Sequence, residues 1–116
     1  MIGSIKGKIL LRTDKFLIVE TNGVVYKVSV SPDTFIKLIK AEDAFLWTHT
    51  HIREDALDLY GFLNHEELEF FEMLIGVSGI GPRSALAILG IATIETLRTA
   101  IGTGDTSYLT KISGIG

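Results

Sequence analysis

Apolar and polar positions alternate with a period of two in the first part of the chain, which is typical of strands that bury one face. In the clearest case Val24, Tyr26, Val28 and Val30 share one face, and the apolar run 16–19 lies just upstream. Asn22-Gly23 separates the two runs, and both residue types tolerate the positive φ angles of a type I′ turn. The pattern therefore predicts a tight β-hairpin.

A short helix is predicted directly after this hairpin. Ser31 can act as the N-cap and Pro32 can occupy the first helical position, where its missing N–H costs nothing. Helical spacing then places three apolar side chains on one face of the helix: Phe35, Leu38 and Ile39.

A second hairpin is predicted from two more apolar runs, 44–48 and 57–62. The polar triplet 53–55 lies between them, so Glu54 and Asp55 are expected at the hairpin tip. Five short strands with one helix between the third and the fourth is the order of an OB-fold, a small, partly open β-barrel that often binds nucleic acid or oligosaccharide.

Helical spacing replaces the strand pattern after residue 63. Asn64 and Glu67 form a capping-box pair, and the positions that follow are apolar at helical intervals: Leu68, Phe71, Leu74 and Ile75. Three more helices are predicted, over 82–89 ending at Gly90, over 94–101 ending at Gly102, and over 106–111 with Asp105 as N-cap. The fold class is thus α+β, with an OB-fold barrel in residues 1–63 and an all-α helix-hairpin-helix domain in residues 64–116.

Composition and net charge exclude several kinds of binding site for this chain. The 116 residues carry a formal net charge of −3, so any polyanion has to be held by local groups rather than by overall attraction. Cysteine is absent, which excludes disulfides, iron–sulfur clusters and thiolate metal sites. No apolar stretch is long enough for a membrane span or a signal peptide, and we expect a soluble, cytoplasmic protein.

The string Ser-Gly-Ile-Gly occurs twice, at 78–81 and 113–116. In the first copy it joins two predicted helices, and Gly79 and Gly81 can adopt left-handed angles and admit close approach of a ligand to the main chain. Pro82 has no N–H, so the candidate phosphate donors at the start of the next helix are Gly79, Gly81, Arg83 and Ser84. The repeat predicts a second, equivalent turn, although such turns also occur for structural reasons alone.

Other kinds of site fit less well. A dinucleotide fingerprint needs a third glycine where Ser84 stands, and a P-loop needs Gly-Lys-Ser/Thr. His49 and His51 share one face of a strand and could bind a metal with Glu54 or His65, but no spacing specifies a third ligand. We therefore expect surface histidines, no metal and no cofactor. An aromatic set on the strands could stack bases, although core or subunit packing is favoured for most of it: Phe45, Trp47, Tyr60 and Phe62.

Several motifs in chain order resemble one known family. The hairpin around Gly79-Ile80-Gly81-Pro82 resembles a helix-hairpin-helix motif, which binds the DNA backbone without sequence preference. Together with MIGSIKGKI at the start, REDALDLYGF at 53–62 and Gly114-Ile115-Gly116, it is similar over the whole chain to the RuvA family of Holliday-junction recognition proteins.

The resemblance implies a non-catalytic scaffold that binds four-way junction DNA as a homotetramer, or as an octamer formed by face-to-face pairing. It implies RuvB as the ATP-driven motor and the RuvC resolvase as a further partner. It assigns phosphate binding to the first hairpin and to Gly114 and Gly116, and an acidic pin to Glu54 and Asp55. It also places the completing helix of the second motif and a RuvB-contacting domain beyond Gly116. The alternative is another DNA-repair protein with these two modules, such as a glycosylase or a nuclease accessory domain.

Overall fold

The computed structural model describes residues 1–91 and 94–103. Within those ranges the elements follow one another as β1 Ser4–Arg12, β2 Phe16–Thr21, β3 Val24–Ser29, α1 Pro32–Lys37, β4 Asp43–Ile52, β5 Leu57–Phe62, α2 His65–Ile75, α3 Pro82–Ile91 and α4 Ile94–Thr103. The chain forms two compact units, Met1–Leu68 and Glu69–Gly116, so the division falls inside α2. The domain boundary between residues 63 and 64 stays a prediction.

The first unit is a closed β-barrel with the strand order β1-β2-β3-β5-β4. Neighbouring strands are antiparallel except β3 and β5, which are parallel. Closure leaves no strand of the barrel with an unpaired edge. The barrel and the helices after it confirm the predicted α+β class and the OB-like order of strands.

Alternate residues of the strands fill the barrel. The interior is apolar, and its buried members include Ile5, Ile9, Leu17, Val19, Val28, Val30 and Leu46. The predicted inward face of β3 is only partly right, because Tyr26 is half-buried and Val24 is 51% exposed. Val24 directly follows the turn, where the hairpin extends past the packed interior.

The turn and cap signals of the barrel are confirmed. Asn22 and Gly23 have φ angles of 48° and 90°, as the type I′ turn requires. The Ser31 side chain accepts a hydrogen bond from the Thr34 backbone N–H at 3.2 Å, which caps α1. The prediction for Ile39 is wrong: it is 50% exposed, because α1 ends at Lys37 and helical spacing no longer applies.

The capping box of α2 is also confirmed. The Asn64 Oδ1 atom accepts a hydrogen bond from the Glu67 N–H at 2.9 Å. Burial raises the pKa of the Glu67 carboxyl above its ordinary value, and the nearby Asp33 charge adds to this. The Lys37 charge and a hydrogen bond from the Asn64 backbone lower the same pKa, but they do not cancel the effect of burial.

The later helices are longer than the sequence predicts. Both α3 and α4 continue through the glycines that were expected to end them, Gly90 and Gly102. A glycine inside a helix costs only about 1 kcal/mol relative to alanine, so it does not by itself end one. The predicted helix over 106–111 lies outside the described residues. None of the described helices is both long enough and apolar enough to cross a membrane.

Candidate nucleic-acid interface

A tight turn over residues 76–81 connects α2 to α3. It begins with backbone hydrogen bonds from Gly76 to Met73 and from Val77 to Leu74, at 3.2 and 3.0 Å, which end α2. A third bond, from Ile80 N–H to the Val77 carbonyl at 3.1 Å, closes the turn. This path requires a φ of 90° at Gly79, a conformation that costs residues with a Cβ substantial strain.

Ile80 holds this turn in place. Its side chain is 5% exposed, whereas Ser78, Gly79 and Gly81 around it are exposed. The same helical unit buries apolar side chains of α2 and α3, including Phe71, Leu74, Ala85 and Ile88. The prediction that Ile80 anchors the hairpin in a core is confirmed, and the backbone on either side is left facing solvent.

The N-terminus of α3 presents backbone donors at this turn. The Ala85 N–H bonds the Gly81 carbonyl at 3.0 Å, so Gly81 is the first residue of the helix's hydrogen-bonding pattern. The N–H groups of Gly81, Arg83 and Ser84 therefore come too early in the helix to have a backbone acceptor within it. Across residues 76–91, the turn's own backbone bonds use none of these three, nor that of Gly79. Together with the positive end of the helix dipole, they can bind an anion.

The two glycines of the turn differ from each other. A Cβ built on either one meets no atom within 4 Å, but only Gly79 has a positive φ. The expectation that Gly81 also uses left-handed angles is therefore wrong. Nothing in its own surroundings requires glycine at position 81, and the missing side chain leaves room for a ligand to approach its N–H closely.

The tip of the β4–β5 hairpin carries the two predicted carboxylates. The Arg53 N–H bonds the Ala56 carbonyl at 2.8 Å and closes the loop. The Arg53 guanidinium pairs with Asp58 at 2.8 Å, a contact that the sequence reasoning missed, although opposite charges flanking a hairpin tip can signal one. Glu54 and Asp55 are exposed, and in the described part of the chain neither forms an ion pair.

The histidines and aromatic residues fall mainly on β4 and β5. His49 and His51 are half-buried, with ring centroids 6.4 Å apart. Within residues 1–91 and 94–103, no three His, Cys, Asp or Glu side chains are grouped for a metal ion. Two of the four aromatic residues, Tyr60 and Phe62, are buried, which confirms core packing for them.

The structure thus brings four predicted phosphate-binding residues together in one hairpin: Gly79, Gly81, Arg83 and Ser84. Arg83 is exposed and Ser84 is half-buried, at the first turn of α3. Glu54 and Asp55 lie in the barrel unit, apart from that hairpin in the chain. Gly114 and Gly116 lie outside the described residues, so their assignment stays a prediction.

Comparison with known proteins places both units in families. Residues 1–61 match the model of the RuvA N terminal domain, and residues 71–116 match that of the SAM-like helix-hairpin-helix tandem. Three curated proteins named Holliday junction branch migration complex subunit RuvA align with the whole chain. The one from Rickettsia bellii is 41% identical, that from Acetivibrio thermocellus 39% and that from Mycobacterium ulcerans 40%.

The chain spans 57%, 58% and 59% of the lengths of these three relatives. The N-terminal family model covers more than half of the chain and coincides with the closed barrel, up to the end of β5. The match to the second model begins at residue 71, inside α2. This chain belongs to the RuvA family.

Proposed function

We propose that this chain is the junction-binding part of a RuvA-type subunit of a Holliday junction branch migration complex, acting in recombination and DNA repair. It binds four-way junction DNA by the shape of the junction and not by base sequence. The observation that carries the proposal is the hairpin between α2 and α3, which presents exposed backbone N–H groups at a helix N-terminus. The names of the relatives supply the junction as the ligand.

The hairpin recognises the phosphate backbone. The N–H groups of Gly79, Gly81, Arg83 and Ser84 donate to phosphate oxygens, with help from the Arg83 guanidinium and the Ser84 hydroxyl. Backbone N–H groups and phosphates are the same at every base step, so these contacts carry no sequence information. In the second motif Gly114 and Gly116 hold a further phosphate, which lets one chain grip two points of the DNA.

The carboxylates of Glu54 and Asp55 act by repulsion. Two like charges 4 Å apart repel by about 1 kcal/mol even in bulk water, and by more near a protein surface. Placed where four strands cross, these side chains disfavour restacking of the arms and guide separated strands toward new partners. Their exposure at a loop that a backbone bond and an ion pair hold closed suits this role.

The protein works as a scaffold and not as a motor. It forms a homotetramer around the junction, with pairing of two tetramers into an octamer as the larger state. RuvB supplies ATP hydrolysis and strand movement, and the RuvC resolvase is a further partner. The chain itself catalyses no reaction and takes no cofactor.

A gel-shift experiment with matched DNA tests this proposal. The ligands are a four-way junction and a linear duplex built from the same sequences, titrated at several salt concentrations, with light scattering to give the number of chains bound. We expect tighter binding of the junction. Equal affinity for linear duplex, or excision of a damaged base by the purified protein, would overturn the proposal and favour a glycosylase-type function.

The charge contribution of the hairpin is tested with Arg83→Gln. Loss of one phosphate contact per chain is expected to reduce the slope of log affinity against log salt by about 1 for each chain bound, and to weaken binding of all junction sequences alike. Lys40→Gln removes an exposed charge from the barrel unit and serves as the matched control. Equal slopes for the two variants would show that Arg83 does not contact a phosphate.

A further inference from the structure

The outer surface of β1 and β4 carries aromatic and cationic side chains side by side. In the antiparallel pairing Lys6 lies opposite Phe45 and Ser4 lies opposite Trp47, and directly opposed residues project from the same face. Leu46 and Thr48, which alternate with the two aromatics, are buried on the other face. We name the outward set Lys6, Lys8, Phe45 and Trp47 the aromatic–lysine face.

The two rings are held in fixed orientations. Phe45 and Trp47 meet edge-to-face with centroids 5.1 Å apart, and Trp47 meets the His65 ring in the same manner at 5.0 Å. Phe45 is nevertheless 43% exposed. A ring already ordered by its neighbours loses little conformational freedom when a flat ligand stacks on it.

The lysines of this face are not used within the barrel. Lys6 and Lys8 are both exposed. Lys8 lies opposite Glu20 on one side and Asp43 on the other. Even so, in the part of the chain that the structure describes, neither lysine forms an ion pair. Their charges are therefore accessible to an anionic ligand.

Another aromatic residue of the barrel shows the contrasting arrangement. The Lys27 ammonium lies 4.5 Å from the centroid of the Phe16 ring, so that ring is already covered by a cation of the same hairpin. Phe45 differs because it combines solvent exposure with nearby lysines that have no ion-pair partner in the described residues.

We propose that the aromatic–lysine face binds single-stranded nucleic acid, with a base stacked on Phe45 and phosphates contacted by Lys6 and Lys8. Alternating cations and aromatic rings is the arrangement by which proteins bind single strands without sequence preference. A second copy of the chain fits this face less well, because lysine is depleted at the centres of protein–protein interfaces. The proposal is separate from junction binding by the hairpin and does not depend on it.

Trp47 makes the proposal directly measurable, because it is the chain's one tryptophan. The experiment titrates the chain with oligothymidylate of about 16 nucleotides, the upper site size of a single OB-fold, while its tryptophan fluorescence is recorded. We expect saturable quenching that weakens with salt, by about 0.7 in the log–log slope for each phosphate neutralised.

Two variants locate the binding site on this face. Phe45→Ala removes the stacking ring and is expected to weaken oligothymidylate binding about 5- to 150-fold. Lys6→Gln is expected to lower the salt slope by about 0.7. The matched controls, Val25→Ala and Lys27→Gln, change an exposed apolar residue and a cation on β3, and we expect both to bind like the unaltered chain. Circular dichroism and urea unfolding confirm that each variant folds.

Three results would each overturn the proposal. The first is a Trp47 emission that oligothymidylate does not change. The second is quenching that Phe45→Ala leaves intact, because the ring would then contribute nothing. The third is a Trp47 emission that shifts with protein concentration alone, while light scattering shows self-association that the oligonucleotide does not reverse. The face would then be an interface between copies of the chain.

Discussion

Substitution of the two glycines in the hairpin between α2 and α3 allows an effect on protein stability to be distinguished from an effect on DNA binding. At Gly79 the φ of 90° places an alanine in a region that costs about 1–2 kcal/mol. The added Cβ would meet nothing within 4 Å, so the cost comes from backbone strain alone and not from a clash. We therefore expect Gly79→Ala to lower the free energy of unfolding by that amount, a noticeable fraction of the 5–15 kcal/mol typical of a domain.

Gly81→Ala is the matched change two residues away. It lacks the positive φ and also has no neighbour within 4 Å of the new Cβ. Stability should stay the same or rise by about 0.4–1 kcal/mol, because alanine has fewer unfolded conformations to lose. If a phosphate contacts the Gly81 N–H, the new methyl group stands in its way, and loss of one hydrogen bond to a charged group costs about 1.5–3 kcal/mol of binding.

Urea unfolding and junction gel shifts on the unaltered chain and the two variants give the measurement. The expected outcome is a stability loss confined to Gly79→Ala, with Gly81→Ala as stable as the unaltered chain but binding the junction roughly tenfold more weakly or worse. A Gly81→Ala protein that is stable and binds the junction normally would refute phosphate contact at this amide. A fully stable Gly79→Ala protein would refute the strain argument.

The remaining predictions concern charge. Reversal of both tip carboxylates, Glu54→Lys with Asp55→Lys, is expected to alter RuvB-driven branch migration more than junction affinity when the change is made in a subunit that also carries a RuvB-contacting domain. Reversal of the exposed pair Glu42 and Asp43 is the control, and unchanged migration would contradict the pin assignment. Burial raises the folded-state pKa of Glu67, so its stabilising contribution is complete below the ordinary value of 4.5 and is lost as pH rises through the raised value. Glu67→Gln should therefore gain stability relative to the unaltered chain between pH 4 and pH 7 in urea unfolding; a constant difference would contradict it.

Features decided by a few neighbouring residues could be predicted from the sequence. The Asn22-Gly23 turn and the Ser31 cap each depend on chemistry within four residues, and the structure shows both. The same holds for the pairing of Asn64 with Glu67 at the start of α2. Local rules succeeded here because the deciding contacts are close in the chain and do not depend on what packs around them.

Features that depend on distant contacts could not be read in the same way. The parallel pairing of β3 with β5 joins residues 31 positions apart, and the closure of β4 onto β1 joins residues 35–43 positions apart. Neither leaves a local signal. Gly90 and Gly102 show the opposite failure: glycine often ends helices and was expected to do so here, but its cost inside a helix is small and both helices continue through it.

The candidate site was predicted as a set of residues but not in its geometry. Sequence placed Gly79, Gly81, Arg83 and Ser84 at one turn, and the structure does the same. The sequence could not show that Gly79 needs glycine for its positive φ angle whereas Gly81 does not, because both positions are simply glycine. That distinction exists only in the backbone angles and in the empty space around each Cα.

The net charge of −3 sets a limit on how one chain can hold DNA. Arg83 is the one basic residue in the segment from Gly76 to Ile91, so the described hairpin neutralises about one phosphate. It therefore contributes a slope of log affinity against log salt near −0.9. Such a contact is weak alone, because most of its donors are dipoles and not full charges. Four copies on one junction would raise the slope to about −3.6 from this hairpin alone. A measured slope near −1 for a junction saturated with four chains would mean that the α2–α3 hairpins do not all contact the backbone, and the symmetric arrangement proposed above would fail with them.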